Sequence, residues 1–214
     1  MAKYFSIFPR TQYVLDDSGE VQNAVKITAN YVIDRTFKDN TVVYYSYVIK
    51  DGETPEELAH KTYGDVEKHW IILFMNDIID PQTQWPLSQQ ALMNHIREQY
   101  DANAAANQTG LEWAQANVKS YYKVEQSTIN GRYKSEQYVE IDQDQYDELV
   151  TGTVSFVLED NSQLSIRTTK TTRSYYDYEV QTNDAKRTIK ILKPEFATTL
   201  RSEFVNLFTS KSFE

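Results

Sequence analysis

Three histidines, His60, His69 and His95, are the first residues to test for chemistry, because paired imidazoles are the usual start of a zinc site. No two of them stand four apart with a glutamate between, so the helical zinc-protease pattern is absent. Each falls on a predicted helix, where a surface or half-buried histidine needs no metal to explain it. The acidic stretch "GETPEE" (Gly52 to Glu57) is accounted for by a helix cap. A glycosidase needs two carboxylates facing each other across a cleft, and nothing in the sequence places such a pair. With 6 glycines in the chain, a phosphate-cradling loop would be conspicuous, and none is present. No nucleophile elbow surrounds any serine. There is no cysteine, which removes thiol nucleophiles, thiolate zinc sites and disulfides. The small basic cluster "NDAKR" (Asn183 to Arg187) reads as a partner contact or a solvated turn. No catalytic, cofactor-binding or metal-ligating residue is therefore assigned, and the chain is expected to be no enzyme and to carry no cofactor.

The elements that would position any site start from the bulk numbers. A chain of 214 residues can form one large domain or two small ones. Its formal net charge is -9, and no Lys/Arg run offers the clustered positive charge that nucleic acid requires. The longest apolar run, "WIILFM" (Trp70 to Met75), is too short to cross a bilayer. The N-terminus lacks the apolar core of a signal peptide. Neither a nucleic acid nor a membrane is an expected partner. The 16 tyrosines supply stiff, half-polar area suited to sheet faces and protein interfaces.

Residues 1 to 23 look irregular, with aromatics at Tyr4, Phe5, Phe8 and Tyr13. Val25, Ile27, Ala29, Tyr31 and Ile33 alternate as in a strand, and Thr41 to Ile49 is dense in β-branched and aromatic residues. Thr54, Pro55, Glu56 and Glu57 make a capping box with proline at the first helical position, and Gly64 supplies a left-handed exit. Asp65 then caps a second helix that reaches about Asn76. Ile79 to Pro86 reads as a loop because two prolines break the pattern. Ser88 caps a third helix carrying Leu92, Ile96 and Tyr100, with Leu87 and Leu92 at the staple positions. Residues 101 to 118 are rich in Ala, Asn and Gln and read as a linker or insertion, with Trp113 docking part of it. Two hairpins follow, turning at Asn130-Gly131 and Asp160-Asn161, with one short helix around "DQYDELVTG" between them. Thr188 to Leu192 predicts a strand, and Pro194 opens a helix striped by Phe196, Leu200, Phe204, Leu207 and Phe208. Phe196 and Leu200 are expected to pack on the chain itself, and Phe204 to Phe208 on a partner.

The stretch "YVIKDGETPEELAHKTYGD" followed by "HWIILFMND" resembles a LysM module. Gly52, Thr54, Leu58, Ala59, Tyr63, Gly64, Trp70, Leu73 and Asn76 fit that frame. The resemblance implies two helices on a short sheet, with N-acetylglucosamine polymers as the usual ligand. A LysM module closes with a short strand soon after the second helix; here a Pro-rich loop and a long amphipathic helix stand there instead. The blocks "YFSIFPRTQY", "HWIILFMNDIIDPQTQWPL" and "YDYEVQTNDAKRTIKILKPEF" resemble the LysM-like baseplate wedge subunit of T-even-type contractile-tailed phages, the gene product fifty-three family. That resemblance covers roughly 1 to 100 and 175 to 208; residues 101 to 172 match nothing named.

Two readings follow. The resemblance to the wedge subunit implies a structural virion component of the tail baseplate, present in the host cytoplasm during assembly. It would act as a protein-docking clamp that joins wedge proteins and adjacent wedges around the hub. The alternative is a peptidoglycan- or N-acetylglucosamine-binding module; on the first reading glycan binding is not expected. Trp70 and Leu73 are expected in the core. The candidate partner contacts are Tyr4, Phe5, Phe8, Trp85, Phe204 and Phe208. The expected fold class is α+β: a LysM-like helix pair on a short sheet with an added helix, then a β-hairpin-rich region and a C-terminal helix. The expected segments are an arm and strand over 1–43, the LysM-like domain over 44–100, the linker or insertion over 101–118, the β-rich region over 119–193, and the helix and tail over 194–214.

Overall fold

The computed structural model describes residues 10–14, 21–25 and 38–210. They form a mixed α+β chain that divides into two compact units, Met1–Ser88 with Asp184–Glu214, and Gln89–Asn183. This division is discontinuous, whereas the expected segments over 1–43, 44–100, 101–118, 119–193 and 194–214 follow the chain in order. Its cause is a single strand pairing. β3 (Tyr44–Val48) takes its partner from β8 (Thr188–Leu192), antiparallel, with Tyr44 opposite Leu192 and Val48 opposite Thr188. The first unit also holds the antiparallel pair β1 (Arg10–Val14) and β2 (Val21–Val25). The strand expected over Val25 to Ile33 falls, past Val25, outside the described residues. Before β3, Thr41 to Val43 form a turn held to Asn40, so the strand begins later than the sequence suggests.

After β3 the chain makes α1 (Pro55–Tyr63), whose capping box is present as expected. The Thr54 hydroxyl accepts from the Glu57 N–H at 3.2 Å, and the Glu57 carboxylate accepts from the Thr54 N–H at 3.4 Å. Gly64 ends the helix at φ 68°, a conformation that costs residues with a Cβ far more than glycine. Asp65 caps a 3-10 turn, Val66–Lys68, which leads into α2 (His69–Met75). The stretch expected as a loop contains one helical turn, α3 (Pro81–Gln84), capped by Asp80. Pro81 does not break it, because the first helical position has no N–H bond to lose.

α8 (Pro194–Ser210) follows β8 directly. Trp70, Ile71 and Met75 of α2 pack with Val43, Leu192, Ala197, Leu200 and Phe204. Ile72 packs with Ile49, Leu58, Ala59, Trp85, Ile189 and Ile191. Ile189 and Ile191 thus meet one cluster and Leu192 the other, so β8 is buried on both faces at its C-terminal end.

The second unit opens with α4 (Gln89–Tyr100), which buries Leu92, Ile96 and Tyr100 as expected. The expected linker is folded. A 3-10 turn, Asp101–Asn103, precedes α5 (Gly110–Ala116), which Thr109 and Glu112 cap reciprocally. Alanine and asparagine richness hid this helix. Gly110 permits its close approach to α4, since a Cβ there would meet the Arg97 carbonyl oxygen at 2.1 Å. Tyr100 stacks on Trp113 at 5.6 Å between ring centres, and Tyr175 lies 5.0 Å from Trp113. β4 (Val118–Ile129), β5 (Arg132–Ile141), β6 (Gly152–Val157) and β7 (Gln163–Ser174) form an antiparallel sheet in the order β5-β4-β7-β6. Asn130 and Gly131 both have positive φ, 49° and 74°, as the tight hairpin turn demands. α6 (Gln143–Glu148) joins β5 to β6, and α7 (Tyr175–Ala185) follows β7.

Candidate functional site

Two frame residues of the first unit, Tyr63 and Asn76, bond to β8. In an antiparallel pair successive residues point their N–H and C=O groups alternately toward and away from the partner strand. Lys193 donates to the Val43 carbonyl at 2.8 Å and Ile49 to the Arg187 carbonyl at 2.9 Å, so odd-numbered residues of β8 face β3. Lys190 and Leu192 therefore turn their backbone groups outward. Asn76 covers the first of them. Its Oδ1 accepts from the Lys190 N–H at 2.7 Å, and its Nδ2 donates to the Lys190 carbonyl at 2.8 Å and to the Ile72 carbonyl at 2.8 Å. The side-chain amide thus stands in for a peptide group of a third strand. The Tyr63 hydroxyl donates to the Leu192 carbonyl at 2.9 Å, and burial pushes its pKa well above the ordinary tyrosine value. Both jobs were missed in the sequence, because the partners lie more than a hundred residues away.

Among the described residues of this unit Glu53 is the buried charge, its side chain 2 % exposed. Its carboxylate accepts from Lys61 Nζ at 2.6 Å, from the Tyr47 hydroxyl at 3.0 Å and from the Lys50 N–H at 3.1 Å. Burial alone would raise its pKa; the Lys61, Lys50 and Tyr47 hydrogen bonds outweigh burial and hold the carboxyl below its ordinary value. The same pair raises the Lys61 ammonium. The Glu53 carbonyl accepts from the Trp85 indole N–H at 2.8 Å. The sequence reading assigned the glutamates of this stretch to the cap; Glu57 does cap, and Glu53 does not.

The candidate partner contacts divide. Trp85 is 8 % exposed and Phe204 is 2 % exposed, so both are corrected from surface to core. Trp85 is held by its bond to Glu53. Phe204 lies edge-on to Trp70 and to Phe74, each at 5.0 Å between ring centres. Trp70 is buried as expected, whereas Leu73 is half-buried at the margin of its cluster. Tyr4, Phe5, Phe8 and the Phe208 side chain lie outside the described residues. Gly52, at φ 71°, turns the chain between β3 and α1.

In the "NDAKR" cluster, read as a partner contact or a solvated turn, Asp184 and Ala185 are exposed and Lys186 lies in a turn, while both basic side chains are engaged within the chain. Arg187 donates to Asp184 Oδ1 at 3.0 Å, to Asp51 Oδ1 at 3.3 Å and to the Leu87 carbonyl at 3.3 Å. Lys186 donates to the Thr83 carbonyl at 2.7 Å. Both residues fasten the returning chain to the first unit. His69 Nδ1 lies 3.0 Å from the Val66 carbonyl oxygen. Among the described residues no group of three or more His, Asp or Glu is arranged to hold a metal ion, and no helix is long and apolar enough to cross a membrane.

The model of the family described as base plate wedge protein 53 matches residues 3–207. The chain belongs to that family. A curated relative, "Baseplate wedge protein gp53" of Enterobacteria phage T4, is 38 % identical over 55 residues. That match spans 26 % of this chain and 28 % of the relative's length. As a base plate wedge protein 53 member, the chain is a structural virion component of a bacteriophage tail baseplate. The family model runs through the second unit as well as the first, so residues 101–172, which suggested no relative by themselves, are part of the family's chain.

Proposed function

We propose that the chain is a protein-docking clamp, joining wedge subunits and adjacent wedges around the hub of the baseplate. Its first unit is LysM-like: α1 and α2 lie on a two-stranded sheet, and the closing strand is β8 rather than one that follows α2. The observation that carries this reading is where the frame residues are spent. Tyr63 and Asn76 bond the outer edge of β8, and Trp70 is covered by Phe204. The aromatic that a sugar would stack on is in the core, so the helix pair serves as a scaffold for protein contacts.

The second unit adds contact area. β5 is exposed along nearly all its length and β6 along all of it. Tyr133, Tyr138, Val139, Val154 and Phe156 lie open on them. Large, stiff aromatic area at a rim of polar residues is what protein interfaces use. The test is co-expression of the full chain with neighbouring wedge subunits, beside sedimentation with insoluble peptidoglycan. Co-purification with the wedge subunits and no retention on peptidoglycan is expected. Retention on peptidoglycan without wedge association would overturn the reading.

A further inference from the structure

The sheet of the second unit has two free edges among the described residues, and they differ in charge. β5 carries Arg132, Lys134, Glu136 and Glu140. Charges of this kind keep an edge strand from pairing with other chains. β6 carries none. From Leu149 to Leu158 the chain has no charged residue and no proline, and every residue from Val150 to Asp160 is exposed. Val154 is 58 % exposed and Phe156 50 %.

The β6–β7 register fixes which groups are free. Leu158 donates its N–H to the Ser162 carbonyl at 2.8 Å, on the β7 side. By alternation, Thr153, Ser155 and Val157 point their N–H and C=O groups away from β7. Val154 and Phe156 share the other face-parity, directly beside Ile166 and Leu164, with Ile129 of β4 next to Leu164. An open row of backbone donors and acceptors beside an apolar strip is a template for strand addition.

Charge says what kind of strand fits. Asp147 and Glu148 precede the uncharged run, and Glu159 and Asp160 follow it. All four are exposed, and none is in an ion pair among the described residues. A second copy pairing through β6 would set these carboxylates against carboxylates, and like charges across strands repel. We propose that the β6 edge is a strand-addition site for an extended segment of another protein. That segment has apolar residues at alternate positions and Lys or Arg at both ends. The proposal rests on the reading of the chain as a docking component.

The test uses the full chain and a labelled peptide, Lys-Arg-Thr-Val-Thr-Val-Thr-Val-Arg-Lys, with Glu-Asp ends on a control. Anisotropy should show binding of the basic-ended peptide that weakens with added salt. Ser155→Pro removes an N–H that faces outward, leaves the backbone ladder to β7 intact at the loss of the exposed Ser155–Ser165 hydroxyl contact, and should weaken binding about tenfold or more. The double variant Glu148→Lys/Glu159→Lys leaves one carboxylate and one ammonium at each end, so it should abolish the preference for the basic-ended peptide, and it decides the matter if Ser155→Pro does not fold. Equal binding of both peptides by the unaltered chain, or of neither, overturns the proposal. So does a dimer in sedimentation that Ser155→Pro abolishes, since the occupant is then a second copy. A folded Ser155→Pro variant that enters wedge complexes as the unaltered chain does also overturns it, while leaving the docking reading in place. That reading falls only if the unaltered chain fails to associate.

Discussion

At the scale of single residues, Asn76 and Glu53 carry the sharpest expectations. Asn76→Asp keeps the shape of the side chain but loses both donors. It leaves the Ile72 and Lys190 carbonyls unpaired and sets a carboxylate against them. A loss of about 2–4 kcal/mol is expected in urea unfolding, from two stranded acceptors beside a charge; a variant as stable as the parent would refute the third-strand role. For Glu53 the sign follows from its lowered pKa. A carboxyl held below its unfolded value of 4.5 stabilises the fold above that pH and loses the contribution as pH falls through the folded pKa. Glu53→Gln should therefore flatten the acid limb: below about pH 4.5 the parent should lose stability more steeply than the variant. Parallel slopes would show that the carboxylate is not held by its three donors. Neither role was legible. Asn76 ends a helix as many asparagines do, and nothing periodic marks an amide that pairs with Lys190. Lys61 stands eight residues from Glu53, outside the helical spacings that signal an ion pair.

At the scale of elements, α8 decides how the first unit holds together. The sequence marked its stripe but could not say which surface receives it, because an amphipathic face looks the same whether its partner is internal or foreign. The outer part was expected on a partner, and Phe204 is instead packed on Trp70 and Phe74. Phe204→Ala should lower stability by about 3–5 kcal/mol, and Trp70→Ala by a similar amount. Truncation after Thr199 removes Leu200 and Phe204 together and should abolish the cooperative melt of the first unit. A truncated chain that melts as the parent does would contradict this packing. The turns and caps, by contrast, were readable. Thr54, Gly64, the Asn130-Gly131 turn and Pro194 act within a few residues of themselves, and local geometry needs no distant partner. The α5 helix escaped because its cap, Thr109 to Glu112, lies in a stretch whose composition suggested a linker.

At the scale of the whole molecule, the second unit is an insertion into the first. The chain leaves after Ser88 and returns at Asp184. Arg187 touches both sides of the gap, bonding the Leu87 carbonyl and the Asp184 carboxylate. Replacing residues 89–183 by a short Gly/Ser linker should therefore leave a first unit that folds alone, with a cooperative melt and dispersed amide resonances. An unfolded product would mean that the insertion is required for the first unit to form. Sequence reading placed a boundary near residue 100 because it followed the chain, whereas β3 waits for a strand far along it.

That wait has a consequence for synthesis. Ribosomes deliver the chain from its N-terminus, so β3, α1 and α2 emerge long before β8 and α8. Until then Trp70, Ile71 and Met75 lack Leu192, Leu200 and Phe204, and the row of β3 backbone groups that faces β8 has no mate. The inserted unit, with its locally paired hairpins, is complete in the nascent chain before Thr188 appears. The chain between Val48 and Thr188 is then not loose coil throughout when β3 and β8 close on each other, which lowers the entropic cost of that closure. It contains a unit already folded, and once Arg187 emerges it can bond the Leu87 carbonyl and Asp184 and so tie the two ends of the first unit's break together.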